Sequence, residues 1–134
     1  MDIETKIYLG VDWGEKRIGL SLGDGETKMA TPFKTVGGVH DLAETALEES
    51  VDVLVIGQPV KMRGIKEGLS QEFLEFIEEI KNRLPNKEMV LIDERLSSKA
   101  ADALPGGNLK ASRDEVAAML ILQEYLDKII NYKL

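Results

Sequence analysis

Four acidic residues stand where a folded chain would end a strand or begin a helix. Asp12 closes the apolar run KIYLGVD, Asp93 and Glu94 follow the apolar run EMVLI, and Asp114 lies in SRDE, just ahead of a long amphipathic stretch. An acid at the carboxyl end of a central strand lies where open α/β sheets gather ligands. Side chains alternate along a strand, so Asp93 and Glu94 would point to opposite faces and only one of them would look toward Asp12. The longer Glu94 is the better candidate, which leaves Asp93 a structural role beside a basic neighbour. Ser112 and Glu115 have the spacing of a capping box, which puts Asp114 at the second helical position. Ala117, Ala118 and Ile121 share its face and would let this helix approach a sheet closely, with Asp114 at the sheet-facing rim. The plainer alternatives are an acid on the positive end of a helix for Asp114 and a turn cap for Asp12.

Carboxylates converging from separate elements repel one another unless a positive charge sits among them. A divalent metal is the economical solution, and oxygen-only donors favour Mg²⁺ or Mn²⁺. Two such ions about 4 Å apart would stabilise the attacking water and the leaving oxygen of a phosphodiester. The chain has no cysteine, which excludes thiolate metal sites, disulfides and a Cys nucleophile. Its one histidine, His40, sits at a predicted helix start beside Asp41, where a surface or capping role is expected.

The elements that must position these residues follow from periodicity. Residues 6 to 12 read as a buried strand, and Ile18, Leu20 and Leu22 alternate with Gly19 and Ser21 as a half-buried one. A further strand candidate covers 28 to 36, completing an antiparallel meander. Helical spacing follows through Leu42, Ala43, Ala46 and Leu47, and VDVLVIG (51 to 57) reads as a strand covered on both faces. Leu69, Phe73, Phe76, Ile77, Ile80 and Leu84 mark a helix that stops at Pro85. EMVLID (88 to 93) is a last buried strand. A short helix from about 97 to 104, a Pro-Gly-Gly loop and a final helix from about 113 to 130 complete the chain. The pattern predicts one α/β domain over residues 1 to 134, a mixed sheet with helices on both faces.

With 134 residues, 43% of them hydrophobic, the chain can bury a core unaided. No apolar stretch approaches the roughly 20 residues of a membrane span, and the acidic N-terminus is unlike a signal peptide; a cytoplasmic protein without membrane contact is expected. The net charge of −7 argues against binding nucleic acid through a global field, so any positive surface must be local. Lys61, Arg63 and Lys66 form one such basic segment, which read by itself is a solvated loop.

The blocks GVDWGEKRIGLSLGD, VIGQPVKMRG, DERLSSKAAD and DEVAAMLILQEYLD, in that order, resemble the four motifs of the YqgF/RuvX family. The resemblance runs from about residue 6 to residue 128. It implies a ribonuclease H-like five-stranded sheet, a three-strand antiparallel meander plus two parallel strands. It also implies an acidic cluster of Asp12, Glu94 and Asp114. Arg17 and Arg95 match basic residues of the motifs and, with Lys61 and Arg63, would grip phosphates; Gly57 and Pro59 match the loop motif. Three departures stand out. The strand beside the first ends in Gly57-Gln58-Pro59 without an acid, Ser97 and Ser98 replace two threonines, and Arg63 replaces an acid or amide. The family has been described both as nucleases maturing the 5′ end of pre-16S rRNA and as Holliday junction resolvases. The resemblance therefore implies a metal-dependent endonuclease acting on pre-rRNA or, alternatively, on branched DNA, as a monomer or a weak homodimer. Paired cuts in a four-way junction would require the symmetric dimer. Two other classes compete. A nucleotide-hydrolysing enzyme of the actin/Hsp70 kind would need a second phosphate loop and a second domain, for which the chain has no room. A catalytically inert nucleic-acid-binding module would not need all three acids.

Overall fold

β1 (Ile7–Asp12), β2 (Ile18–Asp24) and β3 (Ala30–Val36) form the meander in the computed structural model, which describes residues 5–58, 70–93 and 112–133. β1 and β2 pair antiparallel from Ile7↔Asp24 to Asp12↔Gly19, and β2 pairs with β3 from Ile18↔Val36 to Gly23↔Ala30. α1 (Val39–Glu48) leads to β4 (Val53–Gln58), parallel to β1. α2 (Gln71–Arg83) leads to β5 (Glu88–Asp93), parallel to β4. The strand order is β3-β2-β1-β4-β5, which makes β1 central, and α3 (Arg113–Lys133) closes the described chain. The expected five-stranded mixed sheet is therefore present. The helix expected at about 97 to 104 and the Pro-Gly-Gly loop lie outside the described residues, as do Glu94, Arg95, Lys61 and Arg63.

Each face of the sheet carries its own core. Leu9, Val11, Leu20, Leu54 and Ile56 pack under α1 and α2 with Leu42, Phe73, Phe76 and Ile80. Tyr8, Val53, Val55 and Ile92 pack under α3 with Ile121, Leu122 and Leu126. The period of two along each strand deals alternate residues to the two layers. α2 is capped by Ser70, whose hydroxyl accepts a hydrogen bond from the Phe73 amide at 3.2 Å, and Leu69 lies outside the described residues.

The half-buried reading of β2 is corrected. Every residue from Ile18 to Ser21 is buried, because α3 covers the side on which Gly19 and Ser21 stand. Small residues on that side mark a helix-packing surface rather than a solvent face. Asp24 lies opposite Ile7, at the far end of the hairpin from Asp12. Its Oδ1 accepts from the Glu26 and Thr27 amides at 2.9 and 2.7 Å, so it shapes the turn.

Candidate active site

Asp12 is the last residue of the central strand and is half-buried. Its neighbour Trp13 turns to the opposite side of the sheet, with ring centroids 5.5 Å from Phe73 and 5.9 Å from Phe76. On the side of Asp12, the preceding residues of like parity, Tyr8 and Gly10, lie beneath α3. Asp12 therefore stands at the end of the α3-covered face, in register with Gly19.

Glycine permits the next step. A Cβ added at Gly19 would collide with the Asp114 carbonyl and would lie 2.8 Å from the Asp114 Cβ. At Gly10 it would collide with Ser21 Oγ and lie 2.6 Å from the Ala118 carbonyl. α3 thus lies with its backbone almost on the strands, and its first turn rests on the residue paired with Asp12. The expectation that Asp114 rides at the sheet-facing rim of its helix is met. Ala118 and Ile121 face the sheet as expected, while Ala117 belongs to a separate small cluster with Val116, because positions three and four residues on straddle the contact line.

Three sets of hydrogen bonds fix α3 along its length. The capping box is present: the Glu115 amide donates to Ser112 Oγ at 3.2 Å, and the Ser112 amide donates to Glu115 Oε1 at 3.3 Å. Thr35 of β3 ties this box to the sheet, with its hydroxyl 2.9 Å from Glu115 Oε2 and 3.2 Å from Ser112 Oγ. Midway, buried Ser21 Oγ donates to the Ala118 carbonyl at 2.8 Å. Further on, Gln123 accepts from the Ala30 amide at 2.9 Å and donates to the Lys28 carbonyl at 3.0 Å.

Arg17 enters the same corner. Its Nε donates to Asp114 Oδ2 at 2.6 Å, with the Asp114 side chain 23% exposed and the Arg17 side chain 70% exposed. Asp12, Asp114 and Arg17 are thus assembled at one end of the α3 face. β5 approaches from β4's far side, with Val90 and Ile92 in the α3-side core. Thr35, Ser21 and Gly19 carried no sequence-based functional reading. The signal for two of them was the Gly19-Ser21-Gly23 alternation, a row of small residues on one strand face. Thr35 had none, since its partner is 80 residues away along the chain.

His40 is exposed on α1, 3.5 Å from Glu44 Oε2, on the opposite face of the sheet from α3. His40, Asp41 and Glu44 could bring ligand atoms within 4.8 Å of one another, and all three are exposed. This matches the expected surface role for His40.

The sheet order, with a helix covering an acid-tipped central strand, defines an α/β protein of the ribonuclease H-like class. RuvC of T. thermophilus, solved in complex with a Holliday junction substrate, shares the fold with a TM-score of 0.62 at 10% identity, covering 93% of this chain and 96% of that one. Residues 6–128 match the model of the family described as "RuvX: Holliday junction resolvase", and the chain belongs to the RuvX family. A relative from Endomicrobium trichonymphae is 35% identical, covering 89% of this chain and 94% of its own. One from Orientia tsutsugamushi (strain Ikeda) is 34% identical, covering 98% and 90%. Both carry the name "Putative pre-16S rRNA nuclease".

Proposed function

We propose that this protein is a divalent-metal-dependent endonuclease that hydrolyses phosphodiester bonds in structured nucleic acid, with the 5′ end of pre-16S rRNA as its substrate. The observation that carries this reading is the placement of Asp12 and Asp114 on one sheet face, joined through Gly19. The names of the curated relatives support the choice of RNA.

The donor set fits Mg²⁺ or Mn²⁺: carboxylate oxygens from two separate elements, with a guanidinium already drawn to one of them. Asp12 and Asp114 would hold the metal, and two ions are proposed. Glu94 is proposed as the third acid, on the sequence argument that adjacent acids at a strand end serve opposite faces. When bound, the metal supplies Lewis-acid polarisation of the phosphate and lowers the pKa of an attacking water. The protein's own contribution is positioning. The β1–β2 ladder holds Asp12, the capping box and Thr35 hold Asp114, and the amino end of α3 adds a favourable field for an anionic phosphate. Arg17, Lys61, Arg63 and Arg95 are proposed to grip the nucleic-acid backbone.

The family's own description favours a second reading, resolution of four-way DNA junctions. One experiment separates the two. Purified protein is incubated with Mg²⁺ or Mn²⁺ and either a precursor 16S leader RNA or a four-way DNA junction. Cleavage of the leader alone is expected. Cleavage of the junction alone would transfer the assignment to the second reading, and failure to cut either would remove both.

A further inference from the structure

Asp114 and Arg17 are held very differently. Asp114 is fixed by the Gly19 contact below it and by the capping box around it, whereas Arg17 lies in the turn before β2 and is mostly exposed. Among the described residues its contact with Asp114 is made through Nε alone, a short, charge-assisted bond. A planar guanidinium can grip a carboxylate or a phosphate with two parallel N–H groups, and here only one is engaged. A divalent cation ligated by the same carboxylate, at about 2.1 Å, would bring like charges within a few ångströms of each other.

We infer that the Arg17 guanidinium and a divalent cation compete for Asp114, and that Arg17 passes from Asp114 to a substrate phosphate when the cation binds. This rests on the proposed metal site. Arg17 is then a positioning residue that couples metal loading to the grip on nucleic acid: its release uncovers a forked donor beside the acids at the moment the acids are neutralised. The exposed side chain can make this move without disturbing any core contact, since neither buried layer includes it.

The test is Mn²⁺ titration calorimetry on the full chain without nucleic acid, comparing the wild type with Arg17→Gln, Arg17→Lys and Asp114→Asn, each checked for folding by thermal melting. Competition predicts that Arg17→Gln binds Mn²⁺ about fivefold more tightly, a modest gain because the pair is solvent-screened. Arg17→Lys should stay near the wild type. In a stopped-flow anisotropy measurement made before cleavage, Mn²⁺ should raise the affinity for a short RNA oligonucleotide less in Arg17→Gln than in the wild type. Unchanged or weaker Mn²⁺ binding by Arg17→Gln would overturn the inference, weaker binding meaning that the guanidinium holds Asp114 in place for the ion. If Asp114→Asn binds Mn²⁺ like the wild type, the metal-site reading itself fails. If that variant loses Mn²⁺ while Arg17→Gln gains nothing, only the competition is disproved.

Discussion

Asp12 and Trp13 are adjacent in sequence and serve opposite faces of the sheet, one at the acid corner and the other among the phenylalanines of α2. Removing one charge from the acid corner should relieve repulsion, so Asp12→Asn is expected to abolish metal-dependent cleavage while the thermal midpoint stays level or rises slightly. Surviving cleavage would remove Asp12 from the site. At the other end of the same strand face, burial pushes the Tyr8 hydroxyl up from its ordinary 10.0 to about 12, with Tyr125, Glu88 and Asp52 adding to the effect. The folded state therefore holds this proton more tightly than the unfolded chain. Its contribution to stability is complete below about pH 10 and is lost as pH rises toward 12. Chemical denaturation across that window should show a falling stability that Tyr8→Phe makes shallower; an unchanged slope would assign the loss to other groups.

α3 is the element on which the site depends, because its docking distance sets where Asp114 sits. A methyl at Gly19 would meet backbone rather than a flexible side-chain end, so the helix itself must shift. Gly19→Ala is expected to cost about 1–3 kcal/mol of stability, as overpacking does. It should also reduce cleavage by about a hundredfold, since misplacement by an ångström disables a catalytic group. Denaturant melts and initial rates measure the two effects separately, and full activity in a folded Gly19→Ala protein would contradict the docking argument. Thr35→Val removes the tie between β3 and the capping box and should cost about 1 kcal/mol, with Thr35→Ser largely restoring it. Equal stability of all three proteins would show that the tie adds nothing.

Over the whole molecule, the charge is −7, so positive potential has to be concentrated near the acids if nucleic acid is to bind. Four proposed basic contacts to a single strand predict a slope of about −3 in log affinity against log salt concentration. A filter-binding series in NaCl would show it, and a much steeper slope would point to a broader positive surface. Among the described residues no helix is long and apolar enough to cross a membrane.

All five strands were legible in the sequence, because apolar runs bounded by Gly, Pro and acids are local signals, and β5 runs over the residues expected of it. Asp12 and Asp114 were legible for the same reason: a strand end and a capping box are written in a few consecutive residues. Ser112 and Glu115 form that box as their spacing requires. Tertiary structure alone decided that β2 is covered on both faces, that Gly19 is where α3 touches the sheet, and that Thr35 fastens the cap. It also decided that Arg17 faces Asp114 across 97 positions of sequence. The physical reason is that periodicity records which residues share a face of their own element. The closeness of two faces depends on backbone-to-backbone contact, made here by glycine and serine, whose small side chains leave almost no hydrophobic signal to read.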